Sequence, residues 1–304
     1  MSQPIHPASP VRIVEPYPYT YRFRVKPTEH GDTLLDLLLR RFPYHTPQVW
    51  EGRIAAGLVR IDDAAAASDD RIRFNQTLSV TNERVVEPAV PDAVCIHEVT
   101  ADYLAVDKPA PMPVHSGGRY HRNTLLSILE EMGYADLKTI HRLDAVTSGL
   151  IVMARTSDFA RAATEAFAQG AVKVYYAMVE GVPSADVFEV DRPIFRKSGF
   201  VFDSGDGAGA REAFTRFEVV ERYNRMSLVR CEPLTGRTHQ IRIHLRDAGH
   251  PIVDDLVYSG GVAGQLQDRA IQLRSVALKL PTIGLSVEAG RDAGSRMRDA
   301  GTEM

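Results

Sequence analysis

Three stretches of the chain bring together side chains that could do chemistry. In His141-Arg142-Leu143-Asp144-Ala145-Val146-Thr147-Ser148-Gly149-Leu150 a polar cluster sits directly before an apolar run. Thr147-Ser148-Gly149 suits a tight turn, its hydroxyls and bare glycine backbone holding the geometry. Asp144 would then be fixed at the edge of a core, beside an arginine. An aspartate that bonds turn amides fits the same spacing, and spacing alone leaves both readings open. Leu143 breaks the His-Arg-Asp order of a kinase catalytic loop, and no Asp-Phe-Gly follows. The Gly-x-Ser-x-Gly of a serine nucleophile elbow is missing, and the motif holds no second carboxylate for a paired-acid hydrolase.

The second stretch runs from Leu234 to Gly249. Thr235-Gly236 breaks a strand, Thr238 can cap a short helix, and Gly249 stands where a C-terminal glycine belongs. Ile241, Leu245 and Ala248 make an apolar stripe, while His239, Arg242 and Arg246 share another face at intervals of three and four. With Arg237 this is a cationic face near a helix N-terminus, suited to phosphate or carboxylate; a solvated basic helix is the plainer alternative. The third stretch is Lys173-Val174-Tyr175-Tyr176-Ala177-Met178-Val179-Glu180-Gly181. Strand alternation puts Val174, Tyr176 and Met178 on one face and Lys173, Tyr175 and Ala177 on the other, and either face could be core.

The elements around these stretches read as follows. Residues 1–20 hold five prolines and read as an irregular N-terminal arm without the apolar stretch of a signal peptide. In residues 21–83, Tyr21–Val25 reads as a strand. Asp32 or Thr33 caps a helix ending before Pro43, and Thr46-Pro47 opens a second that stops at Gly57. Strands at 58–62 and 78–80 follow. Residues 84–92 carry two prolines and read as a linker. Residues 93–285 make the larger domain, with strands at 103–107, 150–154, 174–179, 214–222 and 226–232. Its helices are capped by Asn123 or Thr124 and by Ser157, and residues 203–209 form a glycine-rich flexible segment. Residues 286–304 read as a disordered tail. Strands dominate without regular strand–helix alternation, so the expected class is α+β: a mixed or antiparallel sheet with flanking helices, plus a small N-terminal α/β module.

Composition is that of a globular protein, 44% hydrophobic and 25% charged over 304 residues. The net charge of -3 gives no global basic footprint, so any nucleic-acid contact must come from local arginine clusters. Two distant cysteines, Cys95 and Cys231, argue against a disulfide framework or a cysteine zinc site, and the cytoplasm is the default compartment. No apolar run of roughly 18 residues occurs, so no membrane span is expected. No nucleotide, cofactor or metal motif is apparent.

Taken in order, the three stretches resemble the RluA-type RNA pseudouridine synthases. They match the family patterns His-Arg-Leu-Asp-x-x-Thr-Ser-Gly, Lys-x-Tyr-x-Ala-x-Val-x-Gly and Thr-Gly-Arg-Thr-His-Gln-Ile-Arg-x-His-Leu. Pro251-Ile252 with Asp255 and Tyr258 matches a later family segment, so the resemblance runs from about Tyr103 to Leu280. Residues 21–83 resemble an S4-type RNA-binding module, with Arg40, Arg41, Arg53 and Arg60 as its positive face. Pro113-Val114-His115, Gly118-Arg119-Tyr120 and Asn123-Thr124 resemble the branch that modifies tRNA anticodon-stem uridine.

The resemblance implies an isomerase acting on structured tRNA or rRNA, without cofactor or metal, and working as a monomer. Asp144 would be the catalytic aspartate. Arg142 would help expel the uridine, Tyr175 would stack on the flipped base and assist proton removal at C5, and Arg242 would pair with Asp144. Arg142, Arg237, His239, Arg246, Arg53 and His115 are the expected RNA contacts. A catalytically silent RNA-binding protein on the same scaffold is the alternative. The family pattern is departed from at Ala145-Val146, where a polar pair is common, at Asp254, where a small residue is usual, and after Leu280.

Overall fold

A computed structural model describes residues 11–260 and 269–289. The chain divides into two compact units: Val14–Glu87 forms one, and the segments before and after it form the other.

In the smaller unit, Thr33 caps the helix Leu34–Arg41 by accepting the Asp36 N–H, and Thr46 caps Pro47–Ala55 by accepting the Val49 N–H. A four-stranded antiparallel sheet, in the order Tyr17–Arg24, Thr77–Val85, Val59–Ile61, Ala64–Ala65, shares a core with both helices. Leu34, Leu37, Leu38, Trp50 and Leu78 are at its centre. The irregular arm expected through residue 20 is therefore shorter. Tyr17–Arg24 is an edge strand, where Pro18 is tolerated because its missing N–H need not serve the ladder, and the register shifts between Tyr17 and Tyr19. Residues 1–10 of that arm lie outside the described residues. Half of the expected positive face is neutralised: Arg40 pairs with Asp32, and Arg41 donates two bonds to Glu29. Arg53 and Arg60 bond the Thr81 and Asp63 carbonyls.

The larger unit is built on a ten-stranded sheet. Along its main path run Val187–Asp191, Phe214–Arg222, Met226–Pro233, Val172–Glu180, Leu273–Leu280, Ser148–Ala154, Tyr103–Lys108 and Cys95–Val99. Neighbours are antiparallel except Ser148–Ala154 and Leu273–Leu280, which run parallel at the centre. This is the α+β, mixed-sheet architecture expected. Alternate residues serve opposite faces. On one face the helices Leu125–Glu131 and Gln240–Asp247 cover two apolar clusters, one around Val106, Ile151 and Met153, the other around Ala177, Phe217 and Cys231; Tyr175 packs against both. The helix Ser157–Ala168 covers the opposite face through Ala163 and Ala166.

Gly149 makes the parallel pairing possible. Its φ is +108°, and a Cβ there would fall 2.2 Å from the Ser275 carbonyl oxygen and 2.6 Å from its nitrogen. No side chain fits so close an approach of two backbones.

Several boundaries differ from expectation. Val85 ends a strand, and Val90–Pro91 pairs with Val11–Arg12, so the 84–92 stretch is partly structured. Thr156 rather than Ser157 caps its helix, accepting the Phe159 N–H, whereas Thr124, one of the two expected caps, does cap Leu125–Glu131. Val201–Ser204 pairs with Ile194–Ser198, so the segment expected to be flexible begins inside a hairpin. Leu285–Glu288 is a strand on Leu273–Leu280, because Gly284 at φ +69° reverses the chain and Leu285 and Val287 are buried. The rest of the expected tail, 290–304, lies outside the described residues.

Candidate active site

Asp144 occupies the turn that feeds the central strand Ser148–Ala154. The turn closes through main chain, the Thr147 N–H donating to the Asp144 carbonyl at 3.1 Å. Neighbouring segments hold it as well: Met112 N–H donates to the Ala145 carbonyl at 2.8 Å, and Ile271 N–H to the Val146 carbonyl at 3.0 Å. Lys108, fully buried, donates from Nζ to the Ala145, Met112 and Pro109 carbonyls. The Asp144 carboxylate is directed at the helix Gln240–Asp247. Its Oδ2 lies 3.5 Å from Arg242 Nη1 and 3.8 Å from His239 Nε2, and its side chain is 19% exposed.

Arg242 is placed by a residue that sequence reasoning gave no role. Asp255, completely buried, accepts Nε at 2.7 Å and Nη2 at 2.8 Å from Arg242. That bidentate grip uses one edge of the planar guanidinium and turns Nη1 toward Asp144. The Tyr258 ring lies 4.9 Å from the Arg242 guanidinium carbon. Asp255 and Tyr258 were quoted as family-like positions, but their partner could not be named from sequence.

His239 precedes the helix in the left-handed region, φ 58° and ψ 19°, and makes no side-chain cap. The expectation that Thr238 caps this helix is therefore corrected. A left-handed non-glycine residue costs about 1–2 kcal/mol. The conformation carries the ring inward, where Nδ1 meets the Tyr258 hydroxyl at 2.8 Å and Nε2 faces Asp144.

The electrostatics favour an ionised aspartate. Burial pushes the Asp144 carboxyl up, but the charges of His239, Arg242 and Arg142 and the contact with Arg242 outweigh it, and the group lies below its ordinary value. Burial pulls His239 down despite the nearby Asp144 carboxylate. Arg242 and Arg142 are permanent cations, so at neutral pH they hold Asp144 ionised whatever the charge of His239. Tyr175 is pushed well above the usual phenol value, by burial first and then by Asp144, with Ser275 opposing through a hydrogen bond. Its hydroxyl is neutral.

These groups line one cavity of about 330 Å³. Of the expected site residues, Asp144, Arg142, Tyr175, Arg237, His239 and Arg242 come together there. Arg142 is exposed at its rim. Arg237 donates Nε to the Glu212 carbonyl at 2.9 Å. Arg246 does not line the cavity; it pairs with Asp203 at 2.8 Å and Asp247 at 2.6 Å. His115 is exposed in its loop and is not among the lining residues. Arg53 belongs to the smaller unit, its guanidinium 5.5 Å from the Trp50 ring. Sequence reasoning missed two basic lining residues. Lys173 donates Nζ to the Thr235 carbonyl at 2.7 Å, and His141 Nε2 accepts the Val152 N–H at 3.0 Å. Burial and the Lys173 charge push His141 down to about 4, so it is neutral.

Residues 102–247 match the RNA pseudouridylate synthase family. The chain is 33% identical over 257 residues to RNA pseudouridine synthase 7 of Oryza sativa subsp. japonica, across 81% of this chain and 65% of that protein. It is 37% identical over 150 residues to the dual-specificity RNA pseudouridine synthase RluA of Vibrio cholerae, across 47% of this chain and 59% of that one. It therefore spans less than two thirds of the length of either relative. Human RNA pseudouridylate synthase domain containing 1 superposes with a TM-score of 0.57 at 26% identity, covering 68% of this chain and 87% of that structure. The motifs, the mixed sheet that carries them and these likenesses agree: residues 102–247 belong to the RNA pseudouridylate synthase family and resemble its RluA-type members.

Proposed function

We propose that this protein isomerises specific uridines to pseudouridine in structured RNA, tRNA or rRNA. The observation that carries this is Asp144, held ionised by Arg242 and Arg142 in the same cavity as the neutral, half-buried Tyr175.

The isomerisation cleaves the N1–C1′ bond, turns the uracil and rejoins it through C5. The C5 proton leaves and N1 gains one, so no oxidant and no group donor is required. A base inside a helix cannot reach Asp144, so the uridine must be flipped out. Arg142, exposed at the rim, is positioned to fill the gap left in the stack. Tyr175 offers a face on which uracil can stack, an interaction of about 1–3 kcal/mol. Asp144 is the nucleophile, and its ionised state requires the arginines because burial alone would favour the neutral acid. The raised pKa of Tyr175 leaves the phenolate scarcely populated at neutral pH, so any part in moving the C5 proton has to pass that proton onward. Arg237 and His239 are proposed RNA contacts within the cavity, and His115 and Arg53 contacts outside it. The smaller unit is proposed as an S4-like RNA-binding module. The protein is proposed to act as a cytoplasmic monomer without a cofactor; among the described residues no helix is long and apolar enough to cross a membrane.

The test is tritium release from tRNA and rRNA transcripts labelled at uridine C5. The wild-type chain should release tritium, and Asp144→Asn should abolish release while RNA affinity stays within a few-fold. Near-normal turnover by Asp144→Asn would refute the mechanism. Binding without turnover by the wild type would favour the silent RNA-binding alternative.

A further inference from the structure

The lining of the cavity carries more positive charge than uracil can use. Arg142, Lys173, Arg237 and Arg242 all line it, and Asp144 is the one carboxylate among the lining residues. Asp255 already engages Arg242 from behind. Three cations therefore face a single carboxylate. Uracil is neutral, so the excess fits a phosphodiester that enters with the nucleotide.

Lys173 is the best placed of the three to receive it. It lies two residues before Tyr175 on the strand Val172–Glu180, so both side chains leave the same face, about 7 Å apart along the strand. That separation suits a base held at one position and its own backbone at the other. Lys173 Nζ donates one bond, to the Thr235 carbonyl at 2.7 Å, which fixes it against the loop before the active-site helix. An ammonium has three donors, so two remain. Gly236 leaves the space over it open: a Cβ there would sit 3.7 Å from Nζ. Resting on the reading that the cavity takes a flipped uridine, we infer that Lys173 binds a non-bridging oxygen of the target nucleotide's phosphodiester, with Arg237 beside it.

The site should also titrate. Burial, and then the Arg237 charge, pull Lys173 down to about 8. His141, the other ionisable group whose titration Lys173 affects, is already neutral and adds no opposing charge. The ammonium is needed to hold the phosphate, so RNA affinity should fall as pH rises through 8 and beyond.

The experiment uses the full chain and a pool of unmodified tRNA transcripts. Binding is measured from 50 to 300 mM salt and from pH 6.5 to 9.5, with thermal melting recorded in parallel. Lys173→Met should weaken binding at pH 7 about tenfold and lower the slope of log affinity against log salt by about 0.7–0.9, the loss of one phosphate contact. It should also flatten the fall in affinity between pH 7.5 and 9. Lys173→Arg should keep the salt slope and likewise lose the pH dependence. An unchanged salt slope in Lys173→Met, whether or not melting drops, overturns the inference and leaves the lysine as a tie to the Thr235 loop. Wild-type RNA binding with a Lys173-dependent slope but no tritium release would sink the isomerase reading and keep the phosphate site. Turnover with a Lys173-independent slope would do the opposite. The absence of any salt-dependent binding by the wild type overturns both.

Discussion

Arg242 stands between two carboxylates that should respond in opposite ways to removal of their charge. Asp255 is wholly buried and bonds Arg242 at 2.7 and 2.8 Å, whereas Asp144 is 19% exposed and 3.5 Å away. In Asp255→Asn the shape is kept but the buried guanidinium, 3% exposed, loses its main counter-charge. Breaking a buried pair from one side costs about 3–5 kcal/mol. At about 2–4 °C per kcal/mol for a unit of this size, the melting point should drop by roughly 6–20 °C. In Asp144→Asn the lost attraction is on the order of 5 kcal/mol before solvation, taking 3.5 Å and an effective dielectric near 20. Relief of the carboxylate's desolvation returns several kcal/mol, so stability should change by no more than about 1 kcal/mol. Calorimetric melting of both variants and of the double variant, beside tritium release, tests the reasoning. Asp144→Asn should be stable and inactive. Asp255→Asn should be unstable, with turnover reduced even at temperatures where it is fully folded, because Arg242 is no longer aimed. A larger loss of stability in Asp144→Asn than in Asp255→Asn would refute the assignment of Asp255 as the anchor and Asp144 as the reactive group.

Other outcomes follow from the same geometry. Gly149→Ala puts a methyl 2.2 Å from the Ser275 carbonyl at φ +108°, so it should cost more than about 3 kcal/mol in urea unfolding; a midpoint unchanged from wild type would mean the two strands can separate freely. Arg237→Gln should reduce the salt slope of RNA binding by about 0.7–0.9, whereas Arg246→Gln, whose charge is met by Asp203 and Asp247, should lower the melting point and leave the slope alone; equal slope changes would contradict the pairing. The Asp203 carboxyl, pushed up by burial but pulled down more strongly by Lys197, Arg246 and the Ser204 N–H, lies at about 2. Its folded value is below its unfolded one, so its stabilisation, roughly 2 kcal/mol, is present above pH 4 and is lost as pH falls toward 2. Acid unfolding curves of wild type and Asp203→Asn should converge across that interval, and a constant gap between them would show that Asp203 is not the titrating group.

Much of the architecture was legible in the residues. Cap, proline and glycine signals placed the helices Leu34–Arg41, Pro47–Ala55 and Leu125–Glu131 to within a residue or two, because these signals act over a single turn. Alternation on 173–178 separated Tyr175 from Tyr176 correctly, since a strand's period is the same wherever it lies in a sheet. The places where reading stopped short were settled by distant packing. Pro18 looked like a break until the strand was found at a sheet edge. The stretch from residue 286 looked like tail until Gly284 folded Leu285–Glu288 back onto the strand Leu273–Leu280.

The sequence by itself determined which chemistry the protein carries: a turn aspartate, a strand tyrosine and an arginine-bearing helix in an order specific to one family. Local pattern also determined the helices and strands that bear them, because backbone preference is a short-range property. Only the tertiary structure decided which charge meets which. Arg242 and Arg246 share one helix, four residues apart. One is gripped by the buried Asp255 and presents an edge to Asp144, while the other is neutralised by Asp203 and Asp247. Lys173, ordinary in its strand, becomes a cation at the edge of the cavity because the Thr235 loop folds over it. Coulomb energies and desolvation depend on distance and burial, and both are set by contacts between segments far apart in the chain.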